Sequence, residues 1–443
     1  MKILLIGDFV VRKKISFVKL MVLTTIFFNI NSFADEIPLD HLSLQQSVSV
    51  FEASNKELLL AKRNIEGAEA DKLTAAQAPN PEVSLGLSNL NLNFSQGNKN
   101  SQRSNSLFDK TLQSTVQISQ LLERGNKRDL RTSVADDAYK ASQFDFKDTL
   151  RQQELALENA YYDLVLAQES EKIQSSNVDL YEKSLNAASL RLKAGDIAAS
   201  DVARIKVDFL RAQNDLRQSV ANRQKAQATL AYIIGQEKNV QSIVATDTWP
   251  QIEASATTQS NESNTEDRAD VLAAKARSQQ AGELRNLAQS LKARDVTVAL
   301  AYQHFPGQEP AVGVNTIGAT VSFPLFTNYQ YQGEIARAET NYYIAQDLKE
   351  QIQAQAIRDL SKAKADLNAA LDKVNRFDGQ MLDEGKKAAD AAEFAYTHGA
   401  VDVTYLLDSR RTLHAIELDA AASHADFAKS LAAWHATIKN EKE

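Results

Sequence analysis

The sequence has no cysteine, and only three methionines, two tryptophans and seven prolines among 443 residues. Without thiols it can build no disulfide scaffold, iron–sulfur cluster, thiolate zinc site or cysteine nucleophile, and no N-terminal cysteine is available to carry a lipid. Basic residues are outnumbered, 50 Lys and Arg against 57 Asp and Glu, for a net charge of −7. That balance speaks against nucleic acid as a partner, because phosphate binding needs clustered cations. No glycine-rich phosphate loop, serine-nucleophile motif or His-Glu-x-x-His pair occurs. The six histidines (His41, His304, His398, His414, His424 and His435) are scattered, and His414 and His424, ten apart, do not share one helical face. No metal site, no cofactor and no enzymatic activity are expected. The many Asp and Glu of the helical stretches read as solvated faces. Charged residues at 24% and apolar residues at 43% are nonetheless ordinary for a folded chain.

Long hydrophobic runs are missing except at the start. Arg12, Lys13 and Lys14 precede an apolar run from Ile15 to Ile30, and Ser32-Phe33-Ala34 follows with small residues one and three positions before a cut. This is the order of a secretory signal peptide. The competing reading is a membrane anchor, but sixteen residues with Lys19 inside are short for a span. Residues 1–34 hold five basic residues and one acid, so the remainder carries 45 basic and 56 acidic residues, a net of −11. An exported chain without a further apolar run can cross a bilayer only with β-strands closed into a barrel.

The chain repeats itself. Gln120-Leu121-Leu122 and Pro324-Leu325-Phe326 each follow a strand-like run at an offset of 204, and Gly195 and Gly399 lie at the same offset. Two halves of one plan result, helix, strand, strand, very long helix, glycine turn, helix. The first is placed at 35–245, with strands near 82–94 and 111–122. The second is placed at 268–443, with strands near 295–303 and 314–323. A Ser-, Thr-, Asn- and Glu-rich linker at 246–267 joins them. Between Asn126 and Ala194 there is neither Gly nor Pro. An unbroken helix there is about 100 Å long, and its narrow apolar stripes, such as Leu155, Tyr162, Val165 and Leu166, suit coiled-coil contacts.

The strands alternate. Val296, Val298, Leu300 and Tyr302 stand against Thr297, Ala299, Ala301 and Gln303. Ile317, Ala319, Val321 and Phe323 stand against Gly318, Thr320 and Ser322, and Val83, Leu85 and Leu87 against Ser84, Gly86 and Ser88. The phase then slips to Leu90, Leu92 and Phe94, as a bulge allows. One apolar face and one small, polar face is the pattern of a membrane barrel with a wet lumen; an edge hairpin on a soluble domain is the bland alternative. Four strands cannot close, since barrels need at least about eight. Strands in lipid therefore require several chains, and three supply twelve. With two repeats per chain such a trimer is approximately six-fold.

The motifs in order resemble those of the outer-membrane efflux channel (TolC-like) family. They are Asn80-Pro81-Glu82-Val83-Ser84-Leu85, then Gln117 to Arg128 (QISQLLERGNKR), then Val321-Ser322-Phe323-Pro324-Leu325-Phe326 and Gln332 to Ala338 (QGEIARA), with the Gly195 and Gly399 turns. The segments at 125–128 and 324–326 are most similar to the subgroup serving cobalt–zinc–cadmium exporters, whose usual Gly-Lys-Arg reads Gly125-Asn126-Lys127 here. The resemblance implies a mainly α chain with a small β part. Its long antiparallel helices form a periplasmic α-barrel, and four strands per chain enter a twelve-stranded outer-membrane β-barrel shared by a homotrimer. It implies a passive conduit in a tripartite system with a periplasmic adaptor and an inner-membrane RND-type pump, set in outer-membrane lipid and exporting divalent heavy-metal cations. Drug efflux or type I secretion through the same fold, or a secreted structural coiled coil, are the other readings. The resemblance further implies that Gly195 and Gly399 mark the periplasmic tip and adaptor contact, that Asp201 bonds Tyr396 as a lock between helix pairs, and that Asp408 rings the aperture. At two further tip positions this chain has Val401 and Tyr405 where the family has an Arg and an acid. Asp408 could instead pair with Arg410, Arg411 or Arg204.

Overall fold

A computed structural model describes residues 39–88, 112–251, 265–305 and 314–438. The signal segment, the slipped positions Leu90, Leu92 and Phe94, and residues 252–264 of the linker lie outside the described residues.

The first half opens with two helices, α1 (Leu44–Ser54) and α2 (Lys56–Ala75). Ser43 and Gln46 cap α1 reciprocally, and Asn55 ends α1 and caps α2 through Leu58 N–H. Strands β1 (Glu82–Ser88) and β2 (Gln113–Leu122) follow, then α3 (Lys127–Ala194) and α4 (Ala199–Ile233). The second half supplies α5 (Ala269–Ser290), β3 (Val296–His304) and β4 (Asn315–Ser322). It continues with α6 (Gln332–Arg376), α7 (Leu382–Thr397) and α8 (Val403–Ile438).

At 68 residues, α3 spans about 100 Å, and α2, α4, α5 and α8 pack along it. The seams are thin and alanine-rich, for example Ala273, Ala274 and Ala276 of α5 and Ala420, Ala421, Ala425 and Ala428 of α8. Small side chains let helix axes approach closely, so these rods are held by a stripe rather than by a wide core.

Besides having one helix, α5, before its strands where the first half has α1 and α2, the second half departs from the first in its long rod. Where α3 is continuous, the matching rod is divided by a π-helical turn, Phe377–Met381, between α6 and α7. Asp378 in that turn meets His424 of α8 at 3.1 Å, and Phe377 is buried. Both rods start alike, from a residue in the left-handed region, Asn126 (φ 55°) before α3 and Tyr331 (φ 61°) before α6.

The four strands form one antiparallel sheet in the order β1-β2-β3-β4. Its register sets Leu85, Val116, Tyr302 and Ile317 in one row and Val83, Ile118 and Leu300 in the next, all on one face. Ser84, Gln117, Ala301 and Gly318, then Gly86, Thr115, Gln303 and Thr316, line the other. At the end where the helices begin, Lys127 ties the sheet down. Its Nζ reaches both carboxylate oxygens of Asp295 at 2.8 Å and the Ala293 carbonyl at 2.9 Å, while Arg124 N–H donates to Asp295 at 2.9 Å.

Candidate functional site

Two regions stand out by their chemistry. The first is the sheet. Its apolar face is uncovered, with Leu85 77% and Ile317 82% exposed and Val83, Leu87, Leu300 and Val321 exposed as well. An apolar patch of this extent marks a binding or membrane surface. Among the described residues β1 and β4 pair on one side only, so each leaves a row of backbone donors and acceptors open. No described helix is long and apolar enough to cross a membrane.

The second region is the helical tip. Gly195 (φ 84°) and Gly399 (φ 73°) close the α3–α4 and α7–α8 hairpins. Both make the same paired cap. Gly195 N–H donates to Leu192 O and Asp196 N–H to Arg191 O, just as Gly399 N–H donates to Tyr396 O and Ala400 N–H to Ala395 O. Nothing lies within 4 Å of a Cβ placed on either glycine; the backbone conformation, not crowding, requires them.

Below the turns, Tyr181, Ala188, Ile205, Ala212, Val403 and Leu407 join α3, α4 and α8 in a small buried cluster, with Val202, Phe209 and Tyr396 against it. The order of α8 explains the arrangement. Val403, Leu406, Leu407 and Arg410 are buried at helical spacing, which turns Asp408 outward. Asp208 of α4 is 4% exposed, and Nη2 of Arg411 donates to both of its carboxylate oxygens at 2.7 Å. Arg211 stands 3.7 Å from the same carboxylate. Donating to the Asp208 carboxylate holds the Arg411 guanidinium above its ordinary range, and burial pushes the Tyr181 hydroxyl up. Arg410, also buried, donates to Ser184 Oγ and sits 3.2 Å from Glu393. Arg204 donates to Thr404 Oγ1 at 2.8 Å.

These bonds bear on Asp408. Its carboxylate is exposed and makes no ion pair among the described residues, with Arg410 facing Glu393, Arg411 facing Asp208 and Arg204 bonded to the neutral Thr404 hydroxyl, although the Asp408 charge still helps hold Arg411 protonated. Asp201 lies in the first turn of α4 and is not hydrogen-bonded to Tyr396 within the protomer; Tyr396 instead carries the Arg191 guanidinium 5.3 Å from its ring centre. Sequence reasoning missed Asp208, Arg410 and Arg411 as a joint. Their only signal was a buried-face register for Arg410 and an acid on the apolar stripe of α4.

Between the sheet and the tip, the segment after α4 is strapped to α3. Leu42 and Ala245 bridge, the Tyr161 hydroxyl donates to Leu42 O at 2.9 Å, and Gln168 exchanges two bonds with Ala245. Trp249 stacks between Tyr162 and His424 and donates to Glu169. A cavity of about 570 Å³ opens beside it, lined by Gln168, Glu169, Lys172, Asp247, Trp249 and Glu417 among others. Among the described residues no group of three or more His, Asp or Glu side chains converges as metal ligands do.

Residues 48–236 match the outer membrane efflux protein family. Over 372 residues the chain is 22% identical to the cobalt-zinc-cadmium resistance protein CzcC of Cupriavidus metallidurans, covering 84% of each. In fold it is similar to the outer membrane protein VceC of Vibrio cholerae, with a TM-score of 0.70, 19% identity and coverage of 90% and 96%. It is also similar to the Campylobacter jejuni CmeC outer membrane channel, with a TM-score of 0.74, 13% identity and coverage of 90% and 87%. The chain therefore matches the outer membrane efflux protein family over residues 48–236 and has, over most of its length, the fold of the outer-membrane channels.

Proposed function

We propose that the protein is the outer-membrane conduit of a tripartite efflux system, passive and not an enzyme, and that three copies make one channel. The observation that carries this is the sheet, apolar and uncovered on one face, small and polar on the other, and open at both edges. In hydrocarbon an open edge leaves backbone groups with no partner at several kcal/mol each, so the β4 edge of one copy must meet the β1 edge of the next. Twelve strands then close with the apolar face to lipid and the Ser84, Thr115 and Gln303 face to water. The rods continue the ring into the periplasm, where Gly195 and Gly399 meet a periplasmic adaptor, and an inner-membrane RND-type pump supplies the energy.

The likeness to CzcC over most of both chains supports divalent heavy-metal cations as cargo. The exposed Asp408 supports an aperture that favours cations, because a ring of like carboxylates at a constriction attracts positive ions. The proposed lock from Asp201 to Tyr396 acts between neighbouring helix pairs of different copies.

The decisive experiment is the mass of the protein extracted from outer membranes in mild detergent. A trimer that needs detergent is the expected result. A water-soluble monomer or dimer would remove the barrel and leave a secreted coiled coil.

A further inference from the structure

The end of the sheet nearest the helices carries a surface that the tip and the barrel do not explain. The apolar face finishes there on Leu122, Val296 and Phe323, with Leu122 paired to Val296. Beyond β4 the chain continues through Pro324 to Tyr331, and this connection is unusually aromatic. Phe326 and Tyr331 meet edge to face with centres 5.4 Å apart, and Tyr329 and Tyr331 lie 5.0 Å apart. The cluster is not a core, since Phe323, Leu325 and Tyr329 are each more than half exposed. Aromatic rings with one polar edge favour the boundary between hydrocarbon and water.

Cations flank these rings. The Arg294 guanidinium lies 5.5 Å from the centre of Phe326. Arg124 and Lys292 are neighbours in the fold, since Arg124 N–H bonds Asp295 and Gly125 approaches Ala293. Arg124, Lys292 and Arg294 are exposed and have no ion-pair partner among the described residues. Of the nearby acids, Asp295 is held by Lys127 and Glu123 by Arg131, while Glu334, in the first turn of α6, is exposed and without an ion pair among the described residues. Three such cations against that one carboxylate leave the rim positive on an otherwise acidic chain, directly below an apolar face.

We propose that this rim is a headgroup site for an anionic phospholipid of the inner leaflet. Arg294 and Lys292, helped by Arg124, take the phosphate, and Phe323, Leu325 and Tyr329 seat the upper part of the acyl chains. The site fixes the depth at which the barrel sits. A cation held over an aromatic face keeps its charge toward the headgroup while its stem covers apolar surface. The inference rests on the membrane reading above.

The test uses the full-length protein purified in mild detergent and mixed with equal phosphatidylglycerol and phosphatidylcholine, with retained lipid counted by native mass spectrometry. The wild type is expected to retain phosphatidylglycerol preferentially. The double variant Arg294→Gln/Lys292→Gln should lose about tenfold of that preference, two surface cations at a factor of about five each, reduced by salt. Lys364→Gln, an exposed lysine far along α6, is the control. Equal retention of both lipids by the wild type, or an equal loss in the control, overturns the proposal. If the variant loses its oligomeric mass instead of its lipid preference, the rim is a contact between copies and the proposal also fails. A protein that needs no detergent would refute the membrane reading itself, which a detergent-dependent oligomer without lipid preference would not.

Discussion

The joint at the tip makes a prediction whose sign is unusual. Arg411→Ala leaves the Asp208 carboxylate, 4% exposed, without its main partner. Stranding a fully buried charge costs roughly 3–5 kcal/mol, and breaking an exposed pair costs roughly 1 kcal/mol or less. Here one partner is buried and Arg411 is 52% exposed, and Arg211 at 3.7 Å supplies partial compensation. A loss of about 2 kcal/mol in the local stability of the tip is expected, equivalent to about a 30-fold rise in opening. Asp208→Asn alone should cost only about 1 kcal/mol, because Arg411 can turn to water and the amide still accepts one bond. Adding Asp208→Asn to Arg411→Ala should therefore restore stability, since it removes the charge that was stranded. Amide hydrogen exchange over residues 199–212 and 403–412 reads this directly, with residues 127–160 as the reference. If the double variant exchanges faster than Arg411→Ala, the two side chains act independently and the joint is not an ion pair in solution.

Other outcomes follow from the same geometry. Gly195→Ala and Gly399→Ala should each cost about 1–2 kcal/mol through backbone conformation alone. Gly125→Ala should cost more, because its Cβ would also lie 2.6 Å from that of Ala293; thermal unfolding compares them. Asp408→Ala should reduce cation selectivity in planar bilayers, and unchanged selectivity would take Asp408 off the aperture. Tyr396→Phe should raise resting conductance if its hydroxyl meets Asp201 of a neighbouring pair; no change would place closure elsewhere. Burial holds His414 and His435 below their usual range, with Asp215 drawing His414 partly back. The unfolded chain therefore takes up these protons first, and stability should fall as pH drops through about 6.5. Gln at both positions should flatten the melting curve against pH relative to wild type. Glu417, raised by burial, works in the opposite direction in both proteins and cancels in the difference.

Much of this architecture is written in punctuation. The absence of Gly and Pro from 127 to 194 marks α3, and two glycines 204 apart mark two hairpin ends. Alternation in four short segments gives the two faces of the sheet. The π turn could not be read, because Phe377-Asp378-Gly379-Gln380-Met381 contains no proline and a side chain on its single glycine would meet nothing within 4 Å. The contact made there is tertiary, His424 from another helix against Asp378, and sequence spacing does not announce it. Long-range ion pairs were equally silent. Asp208 and Arg411 are 203 residues apart, and Lys127 and Asp295 are 168 apart, each on an element already full of charge. Arg410 and Arg411 lie beside Asp408 in sequence and Arg204 lies 204 residues away, and only coordinates show their bonds to Glu393, Ser184, Asp208 and Thr404.

The π turn also governs stiffness. In every protomer one rod, α3, is an unbroken stack of hydrogen bonds, while its counterpart is interrupted at Phe377–Met381 by five residues in a weaker helical geometry. In the ring proposed above, stiff staves would alternate with compliant ones. A torque applied at one end would then be taken up more by the interrupted staves, at the height of Asp378 and His424, than by α3.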